Sequence, residues 1–174
     1  MVNLQIKGAQ TLIEERLPGV ALNVAWPYLK AEQRASFKSQ ASAIIHRLHT
    51  ATSSYSLPNF IAADIDPVAH RGISEEEYAI LFHGRPNEAL RNGKAVQLER
   101  KTDTSSEDYH LFHNNLKTSN IIVDKDKIVG IVGWNLAGYF AWDAVARVHK
   151  QEHGVEGDWS GLYHTKPCQK KASL

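Results

Sequence analysis

Cysteine is nearly absent: the 174 residues include one, Cys168. A lone thiol closes no internal disulfide, and nothing near it has zinc-ligand spacing, so the sequence fits a reducing, cytoplasmic setting. Charge of one sign is lacking too, with 20 Lys and Arg against 19 Asp and Glu. Without a basic stripe the chain lacks the phosphate-neutralising charge of nucleic-acid binders, and nucleic acid is not an expected partner. No stretch approaches the roughly 20 apolar residues of a membrane span, and residues 1–5 carry no charged segment leading into an apolar one, so no membrane partner is expected either. Internal repeats and low-complexity linkers are missing, which makes 1–174 read as one domain.

What is present is a globular composition, 43% hydrophobic and 22% charged, enough to bury a core. Val2, Leu4 and Ile6 alternate, Gly8 breaks the run, and Thr11, Leu12 and Ile13 resume it, the pattern of a short hairpin. From Ala31 to His49 the apolar residues Phe37, Ala41, Ile44, Ile45 and Leu48 fall on one helical stripe. A capping-box pattern begins at Ser74 and is followed by Tyr78, Leu81 and Phe82 at helical spacing, which predicts a second helix ending before Pro86. Two apolar runs, Ile121 to Val123 and Ile128 to Val132, flank the polar Asp124, Lys125 and Asp126 and predict a tight hairpin; Trp142, Val145 and Val148 or His149 predict a last helix. Helices mixed with local hairpins make an α+β fold the expectation.

The stretch richest in chemistry runs His113-Asn114-Asn115-Leu116-Lys117-Thr118-Ser119-Asn120, passes through that hairpin, and ends in Gly133-Trp134-Asn135. It resembles the aminoglycoside phosphotransferase and choline kinase family, where a loop H-x-D-L-x-x-x-N precedes a hairpin ending in D-W-E or D-F-E. Upstream, Glu15-Arg16-Leu17-Pro18-Gly19-Val20-Ala21-Leu22 with Ala25-Trp26-Pro27 is similar to the E-x-x-P-G-x-x-L…W-P hinge of fungal members. The resemblance covers roughly residues 11 to 145. It implies a reduced protein-kinase-like fold, mainly the helical C-terminal lobe with a small N-terminal β element.

The departures from the family pattern shape the functional expectation. The position of the family's catalytic aspartate holds Asn115, whose amide takes no proton at neutral pH. The metal-holding aspartate is replaced by Gly133, leaving Asn120 as the one matching ligand position, whereas magnesium is normally held through carboxylates and phosphate oxygens. Asn135 stands where the family often has glutamate. Asp124 is four strand residues beyond Asn120, roughly 13 Å at about 3.3 Å per residue, so it and Asp126 read as turn formers rather than substitutes. Only about ten residues precede the hinge-like segment, and neither a phosphate-covering loop nor a strand lysine is found there. No metal and no cofactor are expected.

The resemblance with these changes implies a repurposed phosphotransferase-like protein without kinase activity. Its cleft would bind a small apolar organic substrate and catalyse a cofactor-independent cyclisation or rearrangement, a pericyclic step in fungal specialised metabolism being one concrete form. Asn115 and His113 are the candidate catalytic residues, and Asn120, Trp134, Asn135 and Trp26 the candidate substrate-binding ones. Each also has an ordinary reading: a histidine holding backbone, amides steadying a loop, tryptophans in a core. The pairs His46 and His49, and His149 and His153, have helical metal-ligand spacing but no evident third ligand. The alternatives are a non-catalytic pseudokinase-like binding protein and a residual small-molecule phosphotransferase.

Overall fold

The computed structural model describes residues 2–6, 9–13, 16–54, 58–61, 77, 80–81, 108–152 and 159–167. Within them the fold is α+β, with small antiparallel sheets and α-helices. The opening hairpin pairs β1 (Val2–Ile6) with β2 (Ala9–Ile13), Val2 opposite Ile13 and Ile6 opposite Ala9. A second sheet has the order β3 (Val20–Ala21), β6 (Ile121–Asp124), β7 (Lys127–Ile131). A third places β8 (Gly138–Phe140) between β4 (Asn59–Phe60) and β5 (His110–Phe112). The short helix α1 (Leu22–Ala25) follows β3, and α2 (Ala31–Leu48) and α3 (Trp142–Glu152) are the long helices.

Of the stripe read from the sequence, α2 buries Phe37, Ala41 and Ile45, while Ile44 and Leu48 are half-buried. Phe37, Ala41 and Ile45 are about 1% exposed, and they join Leu22, Phe112, Leu116, Ile121, Phe140, Val145, Val148 and Trp159 in one core. The helix begins without a Ser, Thr or Asp cap; instead the Lys30 N–H donates to Gln33 Oε1 at 3.1 Å. The last helix covers the span expected of it. Of the helix expected from Ser74, the described residues are Glu77, Ile80 and Leu81, all helical, with Leu81 fully buried; the remainder lies outside the described residues, as do His153 and Cys168.

The β6–β7 hairpin turns through Lys125 at φ 54° and Asp126, so Asp124 and Asp126 do sit at a turn. Among the described residues β7 is an edge strand, and edges with open backbone groups recruit other strands. Here side chains cover it. Gln40 on α2 donates from Nε2 to the Asp126 carbonyl at 2.8 Å and accepts the Ile128 N–H at 2.9 Å, so one amide takes both outward groups flanking Lys127. Gln33 Nε2 adds a bond to the Asp126 carboxylate at 3.0 Å. The face of the hairpin is covered from the other direction: a Cβ at Gly130 would collide with the Leu17 side chain, which places Leu17 directly over that glycine.

Candidate functional site

The segment between β5 and β6 is held by its own polar groups and by bonds from Val132 and Trp159. His113 is 1% exposed and Asn114 turns through φ 56°, a conformation rare for residues other than glycine but tolerated by asparagine. The Asn115 carbonyl then serves as a hub, accepting the Lys117 N–H at 2.9 Å and the Asn120 Nδ2 amide at 2.9 Å. A 3₁₀ turn over Thr118–Asn120 leads into β6. Across the sheet, Val132 donates its N–H to the Asn120 carbonyl at 2.9 Å. The peptide joining 131 to 132 therefore points its other end, the Ile131 carbonyl, away from β6, and the Trp134 indole N–H meets it at 2.9 Å.

His113 closes the frame. Its Nε2 lies 3.0 Å from the Val132 carbonyl, and because that partner only accepts, the proton belongs on Nε2. Burial holds its pKa below the ordinary 6.5, while the carbonyls of Val132 and Asn115 pull the other way. The ring meets Trp134 edge to face at 4.6 Å and 75°. Gly133, at φ 79°, permits the turn between them; a Cβ there would be 3.0 Å from Asn120 Nδ2 and 3.1 Å from its Cγ, so an aspartate at 133 would be strained in backbone and would crowd the amide that ties the segment together.

The structure thus brings His113, Asn115, Asn120 and Trp134 together around one hairpin end. Asn135 follows in the same 3₁₀ turn and is exposed. Trp134 has its N–H occupied and is 42% exposed as a residue, an amphipathic platform able to stack on an apolar body. The side-chain atoms of this segment left without a hydrogen bond are His113 Nδ1, Asn114 Nδ2 and Asn115 Oδ1, all buried.

Trp26 lies in a different neighbourhood. It packs edge to face on Trp159 at 5.6 Å and 81°, under the Arg34 guanidinium at 5.4 Å, and Arg34 donates to the Trp26 carbonyl at 3.1 Å. Trp159 is fully buried and donates its indole N–H to the Leu116 carbonyl at 2.9 Å, so Trp26 reaches the segment through a second tryptophan. Sequence reasoning did not single out Trp159. It stands in a 3₁₀ turn, Trp159–Tyr163, where no periodicity marks a buried position. A depression of about 360 Å³ lined by Lys30, Glu32, Gln33, Ser36, Phe37 and Asp126 includes none of the expected site residues. Among the described residues no three His, Cys, Asp or Glu side chains are placed to hold a metal ion, and no helix is long and apolar enough to cross a membrane. No protein-family model matches the chain, and no curated protein does.

Proposed function

We propose that the chain has a reduced kinase-like fold of the aminoglycoside phosphotransferase type, does not transfer phosphate, and holds a small, largely apolar organic molecule against Trp134, Asn135 and Asn115. The observation that carries the reading is the set of residues at the hairpin end. Asn115, Gly133 and Asn135 supply no negative charge, and Asn120, the remaining ligand-like side chain, gives its amide to the Asn115 carbonyl. A site of this kind has nothing with which to hold a magnesium-bound triphosphate through carboxylates. It offers instead an exposed indole face and amides able to bond a carbonyl oxygen, which suits an uncharged substrate. In its catalytic form the reading is a cofactor-independent cyclisation or rearrangement, with the substrate held in its reactive conformer and polarised by an amide of Asn115 or Asn135.

A specific observation favours a second reading, binding without turnover: the His113 Nε2 proton is directed at the Val132 carbonyl, and Asn120 Nδ2 is engaged as well. His113 in either case positions Trp134 rather than touching substrate.

Saturation-transfer NMR with uncharged aromatic and polyene probes tests the site. Binding is expected in the wild type and should weaken about tenfold in Trp134→Ala, the loss of one stacking contact of about 1.4 kcal/mol. Probe binding that is unchanged in this variant would place the ligand elsewhere. Turnover of a bound probe would then select the catalytic reading over simple binding.

A further inference from the structure

Two histidines separated by 61 positions meet face to face in the core. His49 caps the C-terminal end of α2 and His110 opens β5; their rings stack at 3.6 Å and 15°, and each residue is 4% exposed. Phe112 from β5 and Trp142 from α3 close the walls, edge to face with His49 at 6.0 and 5.2 Å. The backbone around them is a short antiparallel ladder: Leu111 donates to the Ala51 carbonyl at 2.9 Å, Ser53 donates to the Tyr109 carbonyl at 2.8 Å, and Thr52 bridges to His110. The stack therefore joins the end of α2 to the start of β5, three residues ahead of His113.

The groups that act on His49 are bases. They are His110 from β5, Lys166 from the segment after Tyr163, and His46 one turn back on α2; α3 contributes the neutral ring of Trp142. A proton on His49 arrives in an apolar enclosure that already faces the Lys166 ammonium, and a second proton on His110 would set two charges one ring-stacking distance apart.

We propose that the His49–His110 stack is an acid-sensitive latch, closed while both rings are neutral and opened by protonation, which releases the 49–53 and 109–111 ladder and loosens the entry to the His113–Asn120 segment. The direction follows from linkage. Burial first, then His110, Lys166 and His46, hold His49 down to about 4 from an ordinary 6.5. Between those values the opened state binds the proton that the closed state refuses, so closure is strongest above about pH 6.5 and is lost progressively as pH falls toward 4. The β6–β7 hairpin hangs on Gln33 in the first turn of α2 and Gln40 at its middle, and has no part in the stack.

Amide hydrogen exchange of the full chain at pH 7 and pH 4.5, corrected for intrinsic rates, tests this. Protection of residues 51–53 and 109–112 is expected to fall at least tenfold at pH 4.5 while that of 121–131 holds within threefold. In His49→Phe, which keeps an aromatic ring and loses the titrating group that burial holds down, the fall should shrink to under threefold. If that variant fails to fold at pH 7, the wild-type contrast between the two regions still decides. Equal loss in both regions, no loss in either, or an undiminished fall in folded His49→Phe overturns the proposal.

Discussion

Trp159→Ala is expected to remove about 4–5 kcal/mol of folding stability. Truncating a buried tryptophan costs roughly 3–5 kcal/mol through lost contacts and the cavity left behind. At 0% exposure Trp159 has no access to water that could refill that space without burying more polar atoms. Two further losses are added. The Leu116 carbonyl gives up its 2.9 Å partner, and Trp26 loses the ring it packs against at 5.6 Å. The Trp159 carbonyl, which pairs with His149 Nε2 at 3.1 Å, is retained in principle but sits in a turn no longer anchored by its side chain. Against a typical total of about 5–15 kcal/mol, such a loss leaves a marginal fold. Urea unfolding with Trp159→Phe beside it separates the terms: phenylalanine keeps most of the volume and loses the hydrogen bond, so it should lie within about 2 kcal/mol of the wild type. A loss under about 2 kcal/mol in Trp159→Ala would show that Trp159 does not bind the hinge-like segment to the His113–Asn120 segment.

The second large effect is expected at Gly19. The residue has φ 101°, where any other side chain is strained by about 1–3 kcal/mol, and a Cβ there would fall on the carbonyl oxygen of Val123 and reach its carbonyl carbon at 2.7 Å. That neighbour is backbone of β6 and cannot rotate aside. Gly19→Ala must therefore push β3 off β6, where Val20 pairs with Val123 and Ala21 with Ile122. Strain and displacement together predict a destabilisation of about 3 kcal/mol, read as a lower urea midpoint at unchanged slope. An alanine variant within 0.5 kcal/mol of the wild type, by the rough scale for neutral surface changes, would mean that this turn is not held as the structure has it.

Local patterns were legible because they are local. The 3.6-residue stripe on α2, the two apolar runs flanking Asp124 to Asp126 and the apolar spacing of α3 each lie within one element or one hairpin, and the structure follows their bounds to within a residue or so. The strands β3, β4 and β8 are two or three residues long, too short for any period to register. The contacts that fix the site are of another kind. Gln40 meets the β6–β7 turn across 86 and 88 positions, Trp159 meets Leu116 across 43, and His49 meets His110 across 61; none leaves a signal in neighbouring residues. His49 was legible as half of a helical metal pair with His46, but its stacked partner is on a strand. Trp26 and Trp134 are both aromatic residues in motif-bearing segments, and only the fold tells them apart: one is packed under Arg34, the other shows its face to solvent.

On the proposed reading, the hairpin end, with Asn115, Gly133 and Asn135 and with the Asn120 amide given to the Asn115 carbonyl, supports no magnesium-dependent handling of a nucleotide triphosphate. Thermal unfolding of the full chain at 5 mM Mg-ATP, against magnesium alone and ATP alone, addresses it most directly. A dissociation constant of about 0.5 mM would stabilise the protein by roughly 1.4 kcal/mol under those conditions and raise its midpoint by about 3 °C. A shift below about 0.5 °C, the same with and without magnesium, is expected; a magnesium-dependent rise of roughly 3 °C or more would contradict this reading of the hairpin end.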